Sequence, residues 1–195
     1  MLDVAAMISP IKSAFVASPG VTLADFEPDA PRLLAPVRAA PAPSSDLIDG
    51  VTVLALTAHS DPRGSLCELL TTREGSIEPI VHVYQVTALP GSIRAWVCHR
   101  RQYDRLAFVS GQFRIALYDI RPGSPTRTML NVFILGRERP GLLRIPPQVV
   151  HGVQNLGGET ASFVNCPTTV YDPSNPDKCR LLERDPRIPF SFDER

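Results

Sequence analysis

From residue 47 onward, apolar runs of four to eight residues alternate with turn-forming residues. Runs of this length, bounded by glycine, proline, asparagine or aspartate, are typical of β-strands. The pattern predicts ten strands, at residues 51–56, 64–70, 80–87, 93–99, 105–110, 113–119, 129–135, 141–145, 149–155 and 161–167. Their regular spacing predicts an all-β fold of antiparallel strands with little room for helix.

Residues 1–45 have a different character. Seven prolines, at positions 10, 19, 28, 31, 36, 41 and 43, are scattered among alanines and serines. Proline at this density removes backbone donors and interrupts any helix. The sequence therefore predicts a flexible, disordered Ala/Pro-rich extension over 1–45, with at most a short helix near residues 1–15, and one folded domain over 46–195.

The composition indicates which classes of binding partner are not expected. The chain of 195 residues is 44% hydrophobic and 21% charged, with a formal net charge of +0. Such a chain has no overall field to hold nucleic acid or an anionic membrane surface, and no apolar run approaches the length of a membrane span. We expect neither a nucleic-acid nor a membrane partner, so an anionic ligand would need a local group of arginines.

The cysteines and the N-terminus indicate in which cellular compartment the protein is expected. The chain has four cysteines and no C-x-x-C pair, and its first residues lack the basic region and long apolar run of a secretory signal. Reduced thiols and a cytoplasmic location are expected.

Two segments place polar residues at a recognisable spacing. Residues 91–111, GSIRAWVCHRRQYDRLAFVSG, contain a glycine, five residues, Val-x-His, four residues, an acid, six residues and a second glycine. Residues 145–155, IPPQVVHGVQN, contain two prolines, a turn and then His151. These spacings resemble the two cupin motifs. The resemblance implies a jelly-roll antiparallel β-barrel with polar side chains at its mouth.

A narrower resemblance runs from about residue 46 to the C-terminus. It is carried by Ile93-Arg94-Ala95-Trp96, Leu117-Tyr118-Asp119-Ile120-Arg121 with Ser124-Pro125-Thr126, Ile145-Pro146-Pro147 with His151-Gly152, and Tyr171-Asp172-Pro173. These residues resemble the dTDP-4-dehydrorhamnose 3,5-epimerase family. The resemblance implies an isomerase of deoxysugar or surface-polysaccharide synthesis that acts on a nucleotide-linked 4-keto sugar without metal or cofactor. It also implies a homodimer in which an early strand crosses to the neighbouring subunit.

The chain differs from that family at the positions of the residues that transfer protons. Val97 stands where the family has the histidine that removes the proton beside the C4 ketone, and Val164 stands where it has the acidic tyrosine. The family's aspartate that orients the histidine belongs to a C-terminal segment that this chain is expected to lack. Losing a general acid or base costs on the order of 10²–10⁴ in rate, so we expect altered catalytic chemistry.

Other family positions are retained. Arg63 and Glu68 match the pattern that contacts the nucleotide, Arg94 matches an arginine near the substrate, and Tyr171 matches a tyrosine near the nucleotide. Arg63 is expected to serve the neighbouring subunit's site. Arg105 replaces a lysine that steadies the enolate, which keeps the charge but changes its shape. A solvated turn with an exposed ion pair is an alternative interpretation of Arg63 and Glu68.

His99 and His151 occupy both motif positions, and strand alternation places His99 on the same face as Val97. We predict His99, paired with Asp104, Tyr103 or His151, as a substitute base for a single epimerisation or an isomerisation. The predicted catalytic residues are therefore His99, His151, Arg105 and Tyr103.

Two alternatives stay open. His99, Asp104 and His151 offer two imidazoles and one carboxylate, a set that can hold Fe(II), Mn(II) or Zn(II) with open positions. The other alternative is a non-catalytic module that only binds a sugar nucleotide. Asp104 and Arg105 must point to opposite faces of their strand. An inward Asp104 favours the metal, whereas an inward Arg105 favours an anionic sugar-nucleotide site.

Overall fold

The computed structural model describes residues 47–71 and 78–193. The extension predicted over residues 1–45 lies outside the described residues. Within them the chain forms β-strands and no helix, so no helix long and apolar enough to cross a membrane occurs there. The strands are β1 Thr52–Ala55, β2 Ala58–Asp61, β3 Gly64–Cys67, β4 Tyr84–Ala88, β5 Ile93–His99, β6 Asp104–Phe108, β7 Gln112–Asp119, β8 Leu130–Gly136, β9 Gly141–Ile145, β10 Val149–Asn155, β11 Ala161–Asn165 and β12 Lys178–Arg180.

The strands form two five-stranded antiparallel sheets and a separate hairpin. The first sheet has the order β1-β9-β6-β11-β4, and the second has the order β12-β5-β10-β7-β8. β2 and β3 pair only with each other. Consecutive strands often lie in different sheets, which is the arrangement of a jelly roll.

The main core lies between the two sheets. Phe108 and Phe163 from the first sheet pack against Phe113 from the second, with ring centroids 4.9–5.6 Å apart. All three rings are buried, and aromatic side chains at these separations bury a large apolar area. These rings belong to one apolar core that also contains Leu117, Leu143 and Ile145.

A second apolar cluster covers the outer face of the second sheet. Trp96 on β5 contacts Phe190 and Phe192 of the C-terminal segment, and its indole Nε1 donates a hydrogen bond to the carbonyl of Glu183 at 3.0 Å. This packing holds the outer face of β5 against the C-terminal segment. It therefore fixes the direction in which β5 presents its inward side chains.

The predicted all-β antiparallel jelly roll is confirmed, but the sheets do not close into a barrel. β1 and β4 are the edges of the first sheet, and β8 and β12 are the edges of the second. The pattern also missed β2 and β12. β2 contains a histidine, a serine and an aspartate, and β12 spans three residues of a segment broken by prolines.

Candidate active site

A cavity of about 730 Å³ opens between the two sheets. The first sheet supplies Tyr84 and the second supplies His99, while Gln102 and the segment that leads into β12 complete the wall. The pairing of β12 with β5 determines which side chains of β12 lie beside His99. Lys178 pairs with His99 and Arg180 pairs with Val97, and residues directly opposite each other on antiparallel strands share a face.

Asp104 is the centre of the polar network. Its Oδ2 lies 3.3 Å from Nε2 of His99 and 3.2 Å from Nε2 of His151. Its Oδ1 accepts hydrogen bonds of 2.9 Å from the side-chain amides of Gln102 and Asn165. Four nitrogen atoms therefore surround one carboxylate that is only 3% exposed.

This environment keeps Asp104 ionised. Burial by itself would raise the pKa of the carboxyl, but the hydrogen bonds and charges of His151 and His99 outweigh burial and hold the pKa well below its ordinary value. A buried carboxylate of this kind stabilises positive charge on either imidazole. The two rings stack with centroids 6.0 Å apart.

His99 lies between two carboxylates. Nε2 faces Asp104, and Nδ1 lies 3.6 Å from Oδ2 of Asp177, which is longer than an ordinary hydrogen bond. Asp177 is itself held by the backbone N–H groups of Arg101 and Gln102, at 3.2 and 3.1 Å. Within the described residues Nδ1 has no hydrogen-bond partner, although it is buried. A proton accepted at Nδ1 would lie beside the Asp177 carboxylate.

His151 has a different environment. Its Nδ1 lies 3.3 Å from the carbonyl oxygen of Val149, and its Nε2 faces Asp104. Both ring nitrogens therefore lie within 3.3 Å of an oxygen atom. His151 does not line the cavity, whereas His99 does.

Tyr84 reaches the same network from β4. The Asn165 amide donates to the Tyr84 phenol oxygen at 2.8 Å and to Asp104 at 2.9 Å. Burial, followed by the negative charge of Asp104, raises the pKa of Tyr84. The phenol therefore keeps its proton at neutral pH.

Basic side chains line the outer part of the cavity. They are Arg101, Lys178 and Arg180. Burial and the neighbouring charge of Arg180 lower the pKa of Lys178. Lys178 and Arg180 raise each other's electrostatic energy, so an anion bound beside them would relieve that repulsion. Arg101 forms an ion pair with Asp177 at 3.2 Å.

The predicted site residues divide into two sets. His99 and Tyr171 line the cavity, and His151 and Asp104 join the network behind His99. Arg105 is buried with its guanidinium directed to the carbonyls of Glu78, Pro79, Cys166 and Pro167, away from the cavity wall. Asp104 is therefore the member of the pair that faces the histidines, which is the orientation expected for a metal site and not the one expected for an anionic sugar-nucleotide site.

The other predicted residues lie elsewhere. The Arg144 guanidinium covers the Tyr103 ring at 3.8 Å, and Arg94 donates to the carbonyl of Thr87. Arg63 lies on the β2–β3 hairpin, where it pairs with Asp61, and its side chain is 89% exposed. Glu68 follows that hairpin, and neither Arg63 nor Glu68 lines the cavity of its own chain.

Sequence reasoning missed four polar residues of the site, namely Tyr84, Gln102, Asn165 and Asp177. Asp177, in the segment that leads into β12, lies 3.6 Å from Nδ1 of His99. A proline-rich tail gives no signal for such a contact. Asn165 stands next to Val164, and its side chain is the one that reaches Asp104.

Comparison with known proteins assigns the chain to a family. The sequence model of the dTDP-4-dehydrorhamnose 3,5-epimerase family matches residues 46–194. Spore coat polysaccharide biosynthesis protein SpsL of Bacillus subtilis is 35% identical over 146 residues, which cover 75% of this chain and 97% of the relative. "Probable low-salt glycan biosynthesis epimerase Agl13" of Haloferax volcanii is 34% identical over 137 residues, covering 69% and 87%.

Solved structures agree. The crystal structure of a dTDP sugar isomerase from Desulfovibrio desulfuricans G20 superposes with a TM-score of 0.72 at 28% identity, covering 76% of this chain and 94% of that one. Sequence and structure lead to the same result: the chain belongs to the dTDP-4-dehydrorhamnose 3,5-epimerase family.

Proposed function

We propose that the protein is an epimerase or isomerase that acts on a nucleotide-linked 4-keto-6-deoxy sugar in polysaccharide or deoxysugar synthesis. The observation that carries this proposal is the position of His99, which lines the cavity while its two nitrogens face Asp104 and Asp177. An imidazole between two carboxylates can accept a proton from carbon and hold the resulting charge. Membership of the family supplies the class of substrate.

His99 replaces the base that is missing at Val97. Both residues lie on β5 two positions apart, so they share a face of the strand, and His99 is the one that lines the cavity. Removing the proton beside the ketone leaves an enolate. Return of a proton to the same carbon from the other side inverts that centre.

The cations at the cavity mouth account for the nucleotide part of the ligand. Lys178 and Arg180 project from β12 on the same face as His99 and Val97 respectively. We infer that they and Arg101 bind the diphosphate, which places the sugar deeper, towards His99. Burial, followed by repulsion from Arg180, lowers the pKa of Lys178, and a diphosphate would offset that repulsion.

Ligand binding and proton exchange test this function together. Full-length protein is mixed with dTDP-4-keto-6-deoxyglucose in D₂O, and deuterium at the carbons beside the ketone is followed by NMR. Thermal midpoints are recorded with dTDP, UDP and GDP sugars. We expect both a midpoint increase with one nucleotide and deuterium incorporation. Stabilisation without incorporation would instead identify the non-catalytic sugar-nucleotide-binding module.

A metal-dependent cupin is the second candidate. Ligand atoms of His99, Asp104 and His151 lie within 4.8 Å of one another, close enough to consider one divalent cation. The amide N–H groups of Gln102 and Asn165, however, already fill Oδ1 of Asp104, and both imidazoles share Oδ2. Each oxygen of the Asp104 carboxylate therefore already has two nitrogen neighbours within 3.3 Å. A chelator-treated protein that loses exchange, and regains it with Mn²⁺, Fe²⁺ or Zn²⁺, would favour the metal instead.

We further propose a homodimer. Ile80, Val81 and Val83 lead into or flank edge strand β4 and are 47%, 46% and 54% exposed. Apolar side chains along an open sheet edge are typical of an interface. The β2–β3 hairpin pairs with no other described strand, which is consistent with Arg63 and Glu68 serving the partner's cavity.

Sedimentation checks this assembly. The wild-type protein is expected at twice the chain mass, and Val83→Asp is expected to shift it to the monomer. Leu182→Asp is the matched control, since Leu182 is 81% exposed on the C-terminal tail. A monomeric wild type would contradict the proposal.

A further inference from the structure

Tyr84 combines three features that no other tyrosine of the chain combines. It lines the cavity, its phenol oxygen is held by a buried amide, and it lies in the sheet opposite to that of His99. The chain has four tyrosines. Tyr103 is covered by Arg144, and Tyr118 packs in the outer cluster with Trp96.

Tyr171 is the remaining tyrosine. It lines the cavity but is 59% exposed, and within the described residues no hydrogen bond fixes its hydroxyl group. A proton donor must be held in position to transfer a proton efficiently. The Asn165 amide positions the oxygen of Tyr84 in this way.

The direction of that hydrogen bond matters. Asn165 donates and the phenol oxygen accepts, so the bond does not use the hydrogen of Tyr84. Within residues 47–71 and 78–193, no acceptor takes that hydrogen. The O–H group is therefore available to a molecule in the cavity.

From this geometry we propose that Tyr84 is the catalytic acid that delivers a proton to the face of the sugar opposite His99. The assignment rests on the proposed epimerase function. Tyr84 belongs to the first sheet and His99 to the second, and both line the cavity, so a sugar bound there can contact both side chains. A phenol on β4 would thus replace the tyrosine that is missing at Val164.

The proton balance closes without a further reactant. His99 accepts the proton as the C–H bond breaks, and the electron pair of that bond forms the enolate. Tyr84 then donates its proton as a C–H bond forms on the other face, and Asn165 stabilises the phenolate that remains. Solvent returns a proton to Tyr84 and removes one from His99. No electron is transferred.

The environment of Tyr84 is consistent with an acid. Burial and the charge of Asp104 raise the pKa of the phenol, so it is protonated before the reaction. The Asn165 hydrogen bond acts in the opposite direction and favours the phenolate. Asn165 is a positioning residue, because it acts on the sugar through Tyr84.

The test separates proton exchange from inversion. Full-length wild type, Tyr84→Phe, His99→Asn and Tyr118→Phe are incubated with dTDP-4-keto-6-deoxyglucose in D₂O. NMR then measures both deuterium content and configuration beside the ketone. Tyr84→Phe should lose inversion by about 10²-fold or more while it continues to exchange deuterium with retention. His99→Asn should lose both, and Tyr118→Phe, which changes a hydroxyl group outside the cavity, should keep both.

The outcomes distinguish the two proposals. If wild type and Tyr84→Phe invert at equal rates, the assignment of Tyr84 is overturned and the epimerase function stands. If wild type shows neither exchange nor inversion, the function and the assignment fail together. Loss of exchange as well as inversion in Tyr84→Phe, at an unchanged thermal midpoint, would overturn the assignment, since that pattern indicates a role in binding or proton removal.

Discussion

Oδ2 of Asp177 lies 3.6 Å from Nδ1 of His99, while the other ring nitrogen of His99 lies 3.3 Å from Oδ2 of Asp104. The two carboxylates come from distant parts of the chain. Asp104 opens β6, and Asp177 precedes β12 at the sheet edge. Because Asp104 also binds His151 and two amides, it cannot leave the network without disrupting it. Asp177 lines the cavity, where the backbone N–H groups of Arg101 and Gln102 hold it beside His99.

Replacing Asp177 tests whether its carboxylate assists proton transfer to His99. Asp177→Asn keeps the shape but removes the charge that would stabilise a proton on Nδ1, so the deuterium-exchange rate constant should fall about tenfold. His99→Asn should reduce it much further. Asp185→Asn, which alters a tail carboxylate bonded to Arg187, serves as the control. Equal rates for wild type and Asp177→Asn would contradict a role for Asp177.

Asp104 is expected to be essential for stability. Asp104→Asn replaces one acceptor oxygen of this network with an N–H donor. It also leaves the two imidazoles without their carboxylate, while Gln102 and Asn165 still donate to this position. Removing one member of a buried charged network costs about 3–5 kcal/mol. Urea denaturation at pH 7 measures the loss. Asp61→Asn, at an exposed turn, should leave the midpoint unchanged.

The difference in unfolding free energy between wild type and Asp104→Asn should depend on pH. The pKa of Asp104 is lower in the folded protein than in the unfolded chain, so its stabilisation is complete above about pH 4 and is lost as the pH falls. The difference in unfolding free energy between wild type and Asp104→Asn should shrink by about 1.4 kcal/mol per pH unit below about pH 4. A difference that stays constant down to pH 3 would contradict this assignment.

Arg105 is predicted to act on stability. Its guanidinium donates to four backbone carbonyls, including that of Glu78 at 2.7 Å and that of Pro79 at 3.2 Å. Lysine cannot reproduce this planar arrangement of donors. Arg105→Lys should therefore lower the unfolding free energy by about 1–3 kcal/mol through unsatisfied carbonyls. Arg63→Lys, at an exposed side chain, is the comparison variant and should unfold like wild type.

Tyr84 gives a prediction at alkaline pH. Its raised pKa means that the acid form persists through neutral pH and disappears only above about pH 10. Inversion should remain constant up to that range and then decline, because the phenolate has no proton to donate. Ultraviolet difference titration of wild type against Tyr84→Phe locates the ionisation. A Tyr84 ionisation below pH 9 would be incompatible with this role.

Much of the fold could be predicted because alternation and turn residues are local signals. β5, β9 and β10 have the bounds that the pattern predicts. The failures have physical causes. β12 is three residues long, and its pairing with β5 places Lys178 beside His99 through contacts distant in sequence. Local periodicity does not encode such a pairing.

The site was predictable to a similar degree. His99, Asp104 and His151 occupy motif positions, and the structure brings them together. Tyr84 and Asp177 lie in segments whose patterns indicate only a strand and a loop. Their roles depend on which edge strand each sheet presents to the cavity. Arg105 shows the converse case, since a residue predicted to be catalytic directs its guanidinium at backbone carbonyls.

The most direct measurement is deuterium incorporation from D₂O into dTDP-4-keto-6-deoxyglucose by wild type and by His99→Asn, at equal enzyme concentration and after confirming that both are folded. We predict incorporation beside the ketone with wild type and a rate lower by about 10²–10⁴ with His99→Asn. Equal incorporation by both proteins would contradict the central claim that His99 removes the proton from the sugar.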